Sequence, residues 1–145
     1  MLVAAVGAVL LVVATLVIAH LAAAPNLRGA GDYQSYVTLV GRLHSAPVLS
    51  EDGFPDPSKP SSGPNLCGQS VAQYADVVTM AHMLTNARGG SWPGLVQSQI
   101  AIVFVACPDS LEDYKQGLAS VIGDDAEAQR TVDEVVKAGS AGSSS

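Results

Sequence analysis

"SWPGLVQSQIAIVFVACP", residues 91–108, decides the fold of this chain. Its second half, taken alone, is rich in β-branched residues and fits a buried strand as well as a buried helix. Length separates the two readings. From Ser91 to Cys107 there are 17 residues, and the only breakers, Pro93 and Gly94, come early. That is long for a strand and normal for a helix. Ser91 can cap such a helix, and Pro93 suits its first turn because the missing amide would have no partner there anyway. Pro108 then stops it. A helix apolar nearly all round must be surrounded, so this segment is expected to be the central helix of an all-α bundle.

Working outward, residues 68–90 form a second helical pattern. Ser70 caps it, Val71, Tyr74, Ala75, Val78, Ala81 and Leu84 share a face, and Gly89 and Gly90 end it. Two helices of similar length joined by a short turn predict an antiparallel hairpin. Its geometry carries a test. Cys67 lies just before the first helix and Cys107 at the end of the second, so the only two cysteines meet at the same end. A disulfide there closes a loop of about 40 residues, worth roughly 4 kcal/mol in the chain-entropy account. The rival reading, a reactive thiol, needs neighbouring cations or a helix N-terminus. Cys107 instead follows an apolar run and precedes Pro108 and Asp109, so the disulfide is favoured.

On the N-terminal side, Tyr33, Tyr36, Val37, Val40 and Leu43 fall on one face of a helix that Asp32 caps and Pro47 stops. Residues 48–65 hold four prolines and no periodicity, which predicts an extended loop. Glu51, Asp52 and Asp56 lie in it, but without the acid alternation and glycine of a calcium loop they carry no metal site. On the C-terminal side, Leu111, Tyr114, Leu118, Val121 and Ile122 form a further apolar face. Ser110 and Asp113 stand in the spacing of a capping box, and Gly123 breaks the pattern. Residues 124–138 are helix-permissive and thinly apolar. Residues 139–145 contain only Gly, Ala and Ser and read as a disordered tail. The folded domain is thus expected at residues 31–138.

Residues 1–24 contain no Asp, Glu, Lys or Arg and are long enough to span a bilayer. Two readings fit, a transmembrane anchor and a secretory signal peptide. Against cleavage, no basic residue opens the segment and Pro25 follows the best small-residue site, Ala22 to Ala24. A lone Arg28 after the span would, by positive-inside reasoning, put that side of an anchor in the cytoplasm, but one arginine carries little weight, and the expected disulfide favours an extracytoplasmic domain. His20, near the end of this segment, is read as an interfacial histidine without a role.

The net charge of −6, with only seven scattered basic residues, excludes a nucleic-acid partner. Eight of the thirteen acids lie between Asp109 and Glu134, which reads as a solvated helical surface. The chain holds no metal-binding His-Glu-x-x-His, no phosphate-binding glycine loop and no Cys-x-x-Cys, so no catalytic residue, metal or cofactor is assigned. His44 and His82 are the only histidines beyond residue 24, and a lone imidazole makes no site. A small hydrolase is therefore disfavoured. A binding or structural domain facing the envelope is the leading expectation, and an accessory subunit of a membrane complex is the alternative. Trp92, the only tryptophan, either fills the hairpin end or anchors a partner.

The aromatic-apolar helix "DYQSYVTLV" (32–40), the single Cys67, and the apolar helix closing on Ala106-Cys107-Pro108 resemble the actinobacterial family called domain of unknown function 732. The resemblance spans Asp32 to Pro108. It implies a small secreted or lipid-anchored helical domain with its two cysteines bridged, and no established activity. The proline-rich loop and the extension beyond Pro108 depart from the family pattern, and no lipobox cysteine is present.

Overall fold

In a computed structural model, residues 24–55 and 65–140 are described. The N-terminal apolar segment with His20, the part of the proline-rich loop at 56–64, and residues 141–145 lie outside the described residues. Five α-helices follow in order: α1 Tyr33–Arg42, α2 Val71–Arg88, α3 Trp92–Ala106, α4 Leu111–Ile122 and α5 Asp125–Ser140. Single 3-10 turns occur at Glu51–Gly53 and Pro108–Ser110. The described residues contain no strand, and none of their helices is long and apolar enough to cross a membrane.

Local chemistry sets most helix ends. The Asp32 carboxylate accepts from the Ser35 amide at 2.8 Å and the Ser35 hydroxyl at 2.7 Å. These bonds hold its pKa below the usual carboxylate value. Ser70 and Gln73 form a reciprocal capping box at the start of α2, and Ser91 caps α3. Gly89 (φ 67°) and Gly123 (φ 71°) close α2 and α4 in the left-handed region that a Cβ disfavours.

Three ends differ from expectation. Helix α1 stops at Arg42, well before Pro47, because His44 takes φ 53° and turns the chain away. Ser110 gives no side-chain cap to α4, since its hydroxyl accepts from the Gly68 amide at 3.1 Å and so ties the two disulfide-bearing segments together. Finally, α5 runs through Gly139 and Ser140, the first two residues assigned to the tail.

Helix α3 is the core. Nine of its 15 residues are buried, including the unbroken run Ser98–Val105. Helices α1, α2 and α4 pack around it. Its C-terminal carbonyls are satisfied from outside the helix: the Gly29 amide donates to Phe104 O at 3.0 Å and the Gly31 amide to Val105 O at 2.9 Å. Cys67 and Cys107 are bonded, with Cα atoms 5.7 Å apart, so the disulfide closes the α2–α3 hairpin where expected.

The tightest neighbour of α2 is nonetheless α4. Gly117 makes that approach possible. A Cβ on it would lie 2.7 Å from Tyr74 Cβ and 2.9 Å from backbone atoms of Val71 and Ala75. Gly139 plays a similar part for α5, where a Cβ would run into the Phe104 ring.

Tyr36, Tyr74 and Tyr114 fill the interior with the half-buried Tyr33 at its edge, and each hydroxyl has a partner. Tyr74 donates to Leu66 O at 2.6 Å, beside the disulfide. Tyr114 donates to Gln99 Oε1 at 2.8 Å. The Tyr36 hydroxyl accepts from the Val48 amide at 2.8 Å and Tyr33 donates to Leu49 O at 3.0 Å. Phe54 stacks on Tyr36 with ring centroids 5.5 Å apart, so the start of the proline-rich loop is fastened to α1. Among the described residues no buried side-chain polar atom lacks a partner.

Candidate functional site

At the end of the hairpin remote from the disulfide, the surface opens into a groove of about 670 Å³. One wall is the chain that leaves α1, from Leu43 to Val48. The other is the last turn of α2 and the first turn of α3. The left-handed turn at His44 creates the first wall by sending the chain across α3. Two hydrogen bonds hold it there: Ser98 Oγ donates to Ala46 O at 2.7 Å and Ser45 Oγ to Gln97 Oε1 at 2.9 Å. Gly89 and the Ser91 cap set the second wall. Thr85 faces inward and spends its hydroxyl on the carbonyls of Ala81 and His82.

The apolar lining comes from Leu43, Ala46, Val48, Leu84, Pro93 and Leu95. Arg88 and His44 line the groove as well, and no Asp or Glu does. In a chain of net charge −6 this lining is free of carboxylates and carries one arginine.

The groove also lies where large apolar side chains are left in water. Among the described residues four are exposed: Val48, Met80, Met83 and Leu84, the two methionines at 63% and 64%. Val48 and Leu84 line the groove. Met80 lies one turn before both Met83 and Leu84 on α2 and so neighbours each of them on the helix surface. Sequence periodicity placed Leu84 on the inner face of α2. It is 45% exposed, and Thr85 takes the buried position instead. A polar residue whose hydroxyl bonds back into its own helix leaves little hydrophobic trace.

Trp92 is half-buried and packs against the core beside the groove. Its ring lies 4.8 Å from the His82 imidazole. His82 is exposed, and Asn86 lies 3.5 Å from its Nε2. Neither His82 nor His44 has a carboxylate in hydrogen-bond contact among the described residues, so no base-and-orienter pair forms. Three or more His, Cys, Asp or Glu side chains placed to hold a metal ion do not occur among the described residues.

A second concavity, of about 600 Å³, separates α4 from α5. Two of its three charged residues, Glu112 and Lys115, are engaged with each other, and the third is Asp125. Lys115 pairs with Glu112 at 2.7 Å and donates to Gln129 Oε1 at 2.9 Å. Along the same acidic third, Arg130 pairs with Glu127. The groove is therefore the better candidate for contact with another molecule.

Comparison of the chain with protein-family models, with curated proteins and with solved structures finds no match.

Proposed function

We propose that this chain is an exported, non-catalytic helical domain that serves as a binding module at the outer face of a membrane. Residues 1–24 supply the anchor or export signal, and the groove between α1, α2 and α3 receives another envelope protein. One observation carries this reading: two of the four exposed large apolar side chains among the described residues, Val48 and Leu84, line that groove, and a third, Met80, lies one turn before Leu84 on α2. Contiguous apolar surface costs solubility and marks an interaction site. The disulfide supports the assignment to an oxidising compartment. The resemblance to domain of unknown function 732 points to the same compartment.

In-cell photo-crosslinking tests the proposal. A photoreactive residue at Leu84 is expected to give a discrete adduct with another protein, and one at Glu127 is expected to give none. Loss of site dependence, or no adduct from Leu84, Val48 or Leu95, refutes the docking role of the groove.

A further inference from the structure

The outer face of α2 carries residues that packing does not call for. Its inner face, made by Tyr74, Val78, Ala81 and Thr85, is buried in the bundle. Met80 and Met83 lie off that face at 63% and 64% exposure. Methionine ordinarily fills irregular gaps in cores, and neither of these fills one. They stand three residues apart on the helix, so their thioethers are surface neighbours.

Sulfur chemistry singles the pair out. The chain has three methionines and two cysteines. The cysteines are bonded to each other and leave no free thiol. Met1 lies outside the described residues. Met80 and Met83 are thus the thioethers that the described residues present to water. The fold does not rest on them, since neither belongs to the core cluster or packs against it. A core methionine that gains an oxygen puts a polar group into packed surroundings and disrupts them. These two side chains gain it in water.

We infer that Met80 and Met83 form a reversible oxidation site on the folded protein, with hydroperoxides as the oxidant class. The thioether lone pair attacks the terminal peroxide oxygen. The S–O bond forms as the O–O bond breaks, and the sulfur loses two electrons. The peroxide is reduced to an alcohol, or to water from hydrogen peroxide, as the proton passes to the departing oxygen. Each reaction turns a flexible apolar side chain into a polar one. Two of them make the α2 surface beside Leu84 polar while the bundle stays folded. A methionine sulfoxide reductase reverses the change. Two thiols supply two electrons and two protons, the oxygen leaves as water, and the reductant becomes a disulfide. The site stands whether or not the groove holds a partner.

The test treats the full-length, disulfide-bonded chain with hydrogen peroxide and follows each methionine by site-resolved mass spectrometry. Both are expected to react within about threefold of the rate of methionine in a short unstructured peptide. The doubly oxidised chain is expected to keep its urea midpoint. Reductases of both sulfoxide specificities, supplied with thioredoxin, are expected to remove both oxygens from the folded chain. Met80→Leu with Met83→Leu, treated in the same way, is the reference for damage elsewhere. Reaction at either methionine about tenfold or more slower than in the peptide overturns the inference. So does a lowered urea midpoint that the treated double variant does not share, or sulfoxides that the reductases remove only from the urea-unfolded chain.

Discussion

The two ends of the α2–α3 hairpin are built in opposite ways from the same two helices. At the closed end Cys67 is bonded to Cys107, Tyr74 is fastened to Leu66, and Gly117 lets α4 touch the α2 backbone. At the open end the connection is three residues long, Leu84 faces water, and the walls part into a groove. A small domain has a limited core, and concentrating covalent and close-packed contacts at one end leaves the other free to expose apolar surface. Covalent and close-packed contacts and exposed apolar surface are thereby separated along one pair of helices.

Breaking the closed end should have the largest effect. Replacing Cys67 and Cys107 together by Ser removes a cross-link spanning 40 residues, and about 4 kcal/mol of stability should go with it in chemical denaturation. A loss under about 1 kcal/mol would show that the reduced chain already holds the two ends together. Next comes Gly117→Ala. The added Cβ meets backbone as well as Tyr74, so relief requires α4 to move, and a loss of roughly 1–3 kcal/mol or more is expected. Gly139→Ala should cost less where the Phe104 ring can rotate, and their difference measures how rigid the closed end is.

Tyr114→Phe strands the buried Gln99 oxygen and should cost about 1–2 kcal/mol at neutral pH. The same phenol gives a pH signature. Burial pushes its pKa well above the ordinary value of 10.0, and Tyr36 shifts in the same direction for the same first cause. The unfolded chain therefore releases these protons first, and stability present below pH 10 should fall as pH rises beyond it. Phenolate absorbance followed through alkaline unfolding should show a shallower decline in Tyr114→Phe. At the open end, Met80→Gln and Met83→Gln should change stability by less than about 0.5 kcal/mol, since both residues are largely in water. A large loss from either would dissolve the contrast between the ends.

Local signals made much of this fold readable. Asp32, Ser70 and Ser91 cap helices by bonding amides three residues away, and Gly89 and Gly123 end them by their own backbone freedom. The disulfide followed from two helix lengths. What escaped reading depends on partners distant in the chain. Gly29 and Gly31 lie in a short segment without periodicity, and their role is to donate to carbonyls more than 70 residues away. Gly117 and Gly139 sit inside helices, where composition alone marks a glycine as a weakness. The groove was illegible for the same reason. It depends on His44 turning left-handed and on Ser45 and Ser98 crossing to distant acceptors. Trp92 drew attention as the lone tryptophan, yet the exposed apolar surface belongs to Met80 and Met83, whose spacing reads equally well as core.

The glycine segment ahead of α1 also sets how the domain bears load. Tension entering the chain at Leu27 meets three hydrogen bonds within five residues, to Gly139, Phe104 and Val105. The last of these lies two residues before Cys107, whose bond passes the pull to Cys67 and so to α2. A force applied at that end is thus shared by both helices of the hairpin through a covalent link.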